Sequence, residues 1–203
     1  MQGVTRRDLL EFHRRYFHPG SVMLAVSGAI GEASLKATLE QALGASVWPA
    51  GAADLPAVDS NFPSTERLVY LVPKENIQQS AVRIGHLGVE RHHPEFFKLK
   101  MLDEILGGGF ASRLFRNVRS RKGLAYSVGS GFSTPRVKGL LFTSIGSKSE
   151  TTVQAIEEVL REVESLRKEP PTDEELSIAK NQLVNSFVQN FRTSHQIAGQ
   201  IAG

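Results

Sequence analysis

The chain has no cysteine among its 203 residues. That excludes disulfides, thiolate metal sites and a cysteine nucleophile. Long apolar runs are missing as well: no stretch approaches the ~18 residues that a membrane-spanning helix requires. The opening residues, MQGVTRRDLLEF, have no apolar h-region and are not expected to act as a signal peptide. Charge of one sign is also scarce. Twenty-four Lys and Arg against 21 Asp and Glu leave a net charge of +3, a weak argument for a polyanionic partner even with a pI near 9.3. What remains is 40% hydrophobic and 22% charged, the composition of an ordinary soluble globular protein. A chain of this length buries roughly 70% of its unfolded surface, enough for a core without staples. Nothing in the sequence assigns a compartment.

Histidine spacing settles the local metal motifs. The six histidines are His13, His18, His86, His92, His93 and His195, and no two lie four apart. Neither H-E-x-x-H nor H-x-x-E-H can therefore be present. His13 and His18 flank the end of a helix that Pro19 stops, so they face different ways. His92 and His93 open a helix, where a solvated or capping role is the simpler reading. The chain also lacks a G-x-S-x-G elbow. It is expected to bind no metal and to hold no catalytic nucleophile.

Local signals then outline the elements. Thr5 and Asp8 have capping-box spacing, and Leu9, Leu10, His13, Tyr16 and Phe17 recur at helical intervals up to Pro19-Gly20. The apolar run SVMLAVSG (21–28) predicts a buried strand. GEASLKATLEQALG predicts a helix with Leu35, Leu39 and Leu43 on one face. Residues 45–65, with Pro49, Pro56 and Pro63 among small residues, read as an extended linker. Beyond it, RLVYLVPK and SAVRIGHLG predict strands. Pro94 starts a helix through Leu106, with Phe96, Leu99, Leu102 and Ile105 or Leu106 inward.

Ser112 caps a further helix through about Arg121, and Gly123 supplies its C-terminal cap. LAYSVGSGF and KGLLFTSIGS predict two more strands, turning near Thr134-Pro135. A helix from about Glu150 to Lys168 places Val153, Ile156, Val159, Leu160, Val163 and Leu166 inward. Thr172 and Glu175 box the next, whose Leu176, Leu183, Val184, Phe187 and Phe191 share a face. Strands beside strands and helices beside helices predict an α+β fold, a mostly antiparallel β-sheet with α-helices layered on one face.

The stretch LGGGFASRLFRNVRSRKGLAYSVGSGF (106–132) raises three readings. A P-loop needs G-x-x-x-x-G-K-[ST], and no lysine follows Gly107-Gly108-Gly109 at that spacing. A dinucleotide fingerprint needs a strand before the glycines, whereas a helix precedes them. A flexible turn between two helices is the simpler account. The basic residues Arg113, Arg116, Arg119, Arg121 and Lys122 give a nucleic-acid reading for the face 113–122, but no second basic block of comparable density accompanies it. A solvated or ion-paired helix face explains them more simply.

The same residues, GGGFASRLFRNVRSRKGLAYSVGSGF, resemble the second half of the insulinase family of zinc peptidases, which includes pitrilysin and mitochondrial processing peptidase. The order of parts agrees as well: FHRRYFHPGSVMLAVSGAI, linker, strands, the SRLF helix, the GLAYSV strand and the closing PPTDEELSIAKNQL helix, together covering about residues 5 to 195. The resemblance implies a half-domain of a clam-shell metallopeptidase. One half of such an enzyme binds zinc through H-x-x-E-H and a downstream glutamate; the facing half does not.

By this resemblance, residues 1–45 are the tail of the preceding half-domain, 46–65 the connector, and 66–203 most of the non-zinc half, stopping before its closing elements. Cofactors are none in this chain and zinc in the partner half, on the same polypeptide or a paired subunit. The implied site residues are Arg119 and Tyr126, an Arg and a Tyr seven apart that contact substrate near the scissile bond. Peptide or unfolded polypeptide is the expected substrate, with no nucleic acid and no membrane span. The chain alone is expected to be inactive. The alternatives are a structural or assembly subunit on the same fold, or a nucleic-acid-binding domain using the basic face 113–122.

Overall fold

A computed structural model describes residues 3–44, 51, 66–133 and 139–202. The chain forms two compact units, Met1–Val58 with Ser186–Gly203, and Asp59–Asn185.

In the first unit, helix α1 (Arg6–Tyr16) starts at the predicted capping box. Asp8 N–H donates to Thr5 Oγ1 at 3.3 Å, and Thr5 N–H donates to the Asp8 carboxylate at 2.7 Å. Together these satisfy two of the donors that every helix start leaves unpaired. Helix α2 (Glu32–Leu43) follows as predicted. Between them, Pro19–Ser21 is a single 3₁₀ turn and no strand forms over 21–28. Met23 and Leu24 stay more than half exposed. An apolar run encodes a preference for burial, but a strand also needs a neighbour to complete its ladder.

The second unit holds the sheet, antiparallel throughout, in the order β1-β3-β2: β1 (Gln79–Leu87), β2 (Ser127–Ser133) and β3 (Leu140–Lys148). Register places Val82 and Val128 directly opposite Ile145, one on each side. This three-residue row faces the helical layer: Leu106, Leu114, Val118, Ala155 and Val159 complete the core with it. Leu114, Val118, Ala155 and Val159 are wholly buried. Because side chains alternate along a strand, Phe142 and Gly146 of β3 belong to the opposite face. There the Arg83 guanidinium lies 4.9 Å from the Phe142 ring centroid.

Helices α3 (Phe96–Asp103), α4 (Thr152–Lys168) and α5 (Asp173–Gln189) supply the rest of the layer. The result is the expected α+β architecture. Three details differ from the sequence reading. RLVYLVPK forms no strand, and Val69, Tyr70, Leu71 and Val72 are each more than four-fifths exposed. On α4, Val153, Leu160 and Val163 face outward, while Ala155, Ile156, Val159 and Leu166 pack inward. On α5, Val184 and Phe187 are exposed, and Phe191, expected on the same face, lies beyond the end of the helix and is exposed as well. Periodicity finds the apolar stripe of a helix, but not how much of that stripe its neighbour covers. The predicted linker, Gly51 apart, and the turn near Thr134-Pro135 lie outside the described residues.

Candidate functional site

The glycine-rich turn is built by contact on three sides. Helix α3 continues into a π-helical segment, Glu104–Gly108, and a second π-helical segment, Phe115–Arg121, follows the turn. Such winding is rare and concentrates at functional sites. A Cβ on Gly107 would collide with the Ser130 backbone nitrogen on β2. One on Gly108 would lie 2.5 Å from the Glu104 carboxylate, and one on Gly109 would overlap the Gln182 side-chain amide. The three glycines therefore let the turn press against a strand, its own helix and α5 at once. Close packing, which the sequence reading of a helix-to-helix turn does not include, thus accounts for all three.

Ser112 opens the next segment, its Oγ accepting from Phe115 N–H at 3.4 Å and donating to the Gly109 carbonyl. Gly123 closes it at φ +62, a left-handed conformation that a side chain resists. Gly123 N–H donates to the Arg119 carbonyl at 3.1 Å and Leu124 N–H to that of Val118 at 3.0 Å. This is the cap read from the sequence, and it reverses the chain into β2.

Arg119 and Tyr126 flank that reversal. Arg119 is exposed, and its guanidinium lies 4.8 Å from the Phe115 ring centroid. Among the described residues it has no carboxylate within ion-pair distance. It lines an open cleft of about 300 Å³ together with the three glycines, Phe110, Phe115 and Ser127. Tyr126 is 52% exposed, so it is not a core aromatic. Its backbone N–H donates to the Gly146 carbonyl at 3.0 Å. A Cβ on Gly146 would lie 2.7 Å from the Tyr126 ring and 2.5 Å from Ser127 Oγ. The ring and the hydroxyl thus meet over Gly146, on the sheet face away from the helices. Ser127 joins the two predicted residues, since it lines the Arg119 cleft and adjoins the Tyr126 ring. Its neighbour Phe115 fixes the guanidinium by a cation–π contact.

The rest of the basic stretch is committed to structure. Arg113 grips Glu175 with two bonds, Nε to Oε1 at 2.7 Å and Nη2 to Oε2 at 2.8 Å. Arg116 reaches the same carboxylate at 3.7 Å. The Arg113 hydrogen bonds pull the Glu175 pKa down to about 2, helped by the Thr172 backbone N–H. Lys122 pairs with Glu158 at 2.6 Å and lowers its pKa, while Arg161 reaches the same carboxylate. Arg121 donates to the Asn117 side chain at 3.1 Å. Sequence spacing could not show that Glu175, 62 residues from Arg113, is its partner.

Among the described residues, no group of three or more His, Cys, Asp or Glu could hold a metal ion. No helix there is long and apolar enough to cross a membrane. What the described residues offer here is hydrogen-bond donors around an open cleft.

Comparison with known proteins gives this arrangement a family. The "Peptidase M16 inactive domain" family matches residues 3–183. The uncharacterized zinc protease YmxG of Bacillus subtilis is 29% identical over 189 residues, which are 93% of this chain and 44% of that protein. A peptidase M16 inactive domain from Pseudomonas fluorescens superposes with a TM-score of 0.77 at 25% identity, over 99% of this chain and 47% of that one. A protease from Helicobacter pylori has a TM-score of 0.76 at 21% identity, over 99% and 49%, and shares the fold. The chain spans somewhat under half the length of these relatives. The insulinase-type resemblance read from GGGFASRLFRNVRSRKGLAYSVGSGF is thereby shown, and the chain belongs to the family of inactive, C-terminal domains of M16 zinc proteases.

Proposed function

We propose that this chain is the substrate-holding, chamber-closing half of a zinc metalloendopeptidase whose metal chemistry resides in a partner half. On this reading residues 1–45 complete the preceding half-domain, 46–65 connect, and 66–203 form most of the inactive half. Substrate is peptide or unfolded polypeptide. The partner half lies on the same polypeptide or on a paired subunit, and the zinc there supplies the activated water. One observation carries the reading: a guanidinium without a carboxylate partner among the described residues and a half-exposed phenol stand at the same helix-to-strand reversal, with Ser127 beside both.

A guanidinium and a phenol both carry hydrogen-bond donors. Directed at a scissile carbonyl, they would hold its oxygen as substrate binds and stabilise the negative charge that grows there during attack. The Phe115 ring lies against the Arg119 guanidinium and favours its place at the cleft, and the Tyr126 ring occupies the space that the missing Gly146 side chain leaves. Neither residue can activate water. Their part is to bind, orient and shield.

The test uses the complete zinc enzyme. Tyr126→Phe removes one hydroxyl and is expected to lower kcat by about 10²-fold or more, the typical loss for one oxyanion donor. Arg119→Ala is expected to raise KM as well, because a guanidinium also holds the ground-state carbonyl. Zinc content and Tm should stay at wild-type values, since both groups are exposed before substrate arrives. Near-normal turnover with a lowered Tm would make the pair scaffold. An H-x-x-E-H segment in the remaining length of the parent protein would separate the peptidase from an assembly subunit.

A further inference from the structure

A second concavity lies away from the Arg119 cleft, between the first π-helical segment and α5. Its volume is about 220 Å³, below the ~300–1,000 Å³ of a pocket for a drug-sized ligand. That size suits one side-chain-sized group. Ile105, Ile178 and Ala179 give it apolar walls, and Glu104 and Gln182 bring polar groups to it.

Glu104 is the unusual member. Its Oε1 is buried and has no hydrogen-bond partner among the described residues. Gly108 leaves room for this carboxylate, because a Cβ there would lie 2.5 Å from Oε2 and 3.0 Å from Oε1. Burial, and then the neighbouring Asp103, raises the Glu104 pKa. A carboxylate oxygen buried without a donor is costly to keep and gains most from a cationic one. Lys100 acts on this carboxylate through space and pulls its pKa the other way, but makes no ion pair with it among the described residues, and the other charges at the site do not supply a donor. Glu175 is taken by Arg113, Arg116 reaches toward Glu175 at 3.7 Å, and Glu174 adds a further negative charge. The balance of the lining is acidic.

We infer that this cavity is a binding site for an alkylammonium group, such as the end of a lysine side chain of a bound polypeptide. The methylene stem would lie along Ile105, Ile178 and Ala179, and the ammonium would meet the Glu104 carboxylate. Lysine is built for this division, with an apolar stem and a charged head. The cavity's lining shares no residue with that of the Arg119 cleft. It therefore stands independently of the Arg119 and Tyr126 reading.

The probe is n-butylammonium, with n-butanol as its neutral counterpart, added to the 203-residue chain while the Gly108 and Gly109 amides are followed by NMR. The expected result is a saturable shift with n-butylammonium, at least ~10-fold tighter than with n-butanol, and its loss in Glu104→Gln. Ile178→Trp, which fills the apolar wall, should abolish the shift too and serves if Glu104→Gln does not fold. Glu164→Gln, on the exposed face of α4, should leave it unchanged and controls for net charge. Equal binding of n-butanol, an undiminished shift in Glu104→Gln or Ile178→Trp, or no saturation at all would overturn the inference.

Discussion

Glu175→Gln tests the frame that holds the second π-helical segment against α5. Glu175 does two jobs. Its carboxylate accepts Thr172 N–H at 2.9 Å and caps α5, and it takes both bonds from Arg113. Glutamine keeps one oxygen for the cap but removes the charge, so the substitution isolates the ion pair. The side chains of Arg113 and Glu175 are only 11% and 13% exposed. Leaving one member of such a pair uncompensated costs about 3–5 kcal/mol.

The proton linkage gives an independent figure. A carboxylate held at about 2 in the fold and at its ordinary 4.5 when unfolded stabilises the protein above pH 4.5. That contribution shrinks as pH falls toward 2 and amounts to about 3 kcal/mol when complete. The two routes agree near 3 kcal/mol, which for a chain of this size is a Tm loss of roughly 6–12 °C at pH 7. Thermal melts by far-UV circular dichroism from pH 7 to pH 3 would follow both proteins. The gap should be full at pH 7 and should narrow steadily below pH 4.5. A gap under about 2 °C at pH 7 would make this a surface bridge of ordinary weakness. A gap that stayed constant down to pH 3 would mean that the charge is not what the glutamate contributes.

Gly107→Ala is expected to cost at least ~3 kcal/mol or prevent soluble expression, because the new methyl group meets the Ser130 backbone, which cannot yield as a side chain would. Gly28→Ala, with nothing within 4 Å of its Cβ, should move stability by no more than ~0.5 kcal/mol; equal melting temperatures for the two would refute the contact account of the glycines. The dialysed chain is expected to hold substoichiometric zinc by elemental analysis and to leave quenched fluorescent peptides intact. One tightly held zinc per chain, or chelator-sensitive turnover, would show that a noncontiguous site exists.

Features set by residues three or four apart were readable in advance. Thr5 with Asp8 and Thr172 with Glu175 form the boxes their spacing announces, and Gly123 takes the left-handed cap. Strands that found a partner were readable too. SVMLAVSG and RLVYLVPK were misread because apolar content is local, whereas a ladder requires a second strand. The Arg113–Glu175 pair and the meeting of Tyr126 with Ser127 over Gly146 depend on three-dimensional approach and leave no trace in spacing. The π winding around the glycine turn has no local signature either. Arg119 and Tyr126 are implied by a family resemblance; the fold adds that one has no carboxylate partner among the described residues and that the other is half-exposed. The triple glycine was visible as a feature, but its purpose emerged only when each missing side chain was seen to make room for a different neighbour.

The strand order carries a consequence for how the chain is made. Among the described residues, β3 is the last strand in sequence and the middle one in space, pairing Leu87 with Leu140 on one side and Ser133 with Leu140 on the other. On a ribosome adding ~5–20 residues per second, β1 would wait for seconds while the segments through β2 emerge. During that interval β1 and β2 both lack the partner they have in the folded sheet, where neither bonds the other. When Leu140–Lys148 follows, one segment completes both ladders at once. A nascent chain halted before Leu140 offers two orphan strands to chaperones and to other chains, and one released after Lys148 has its sheet.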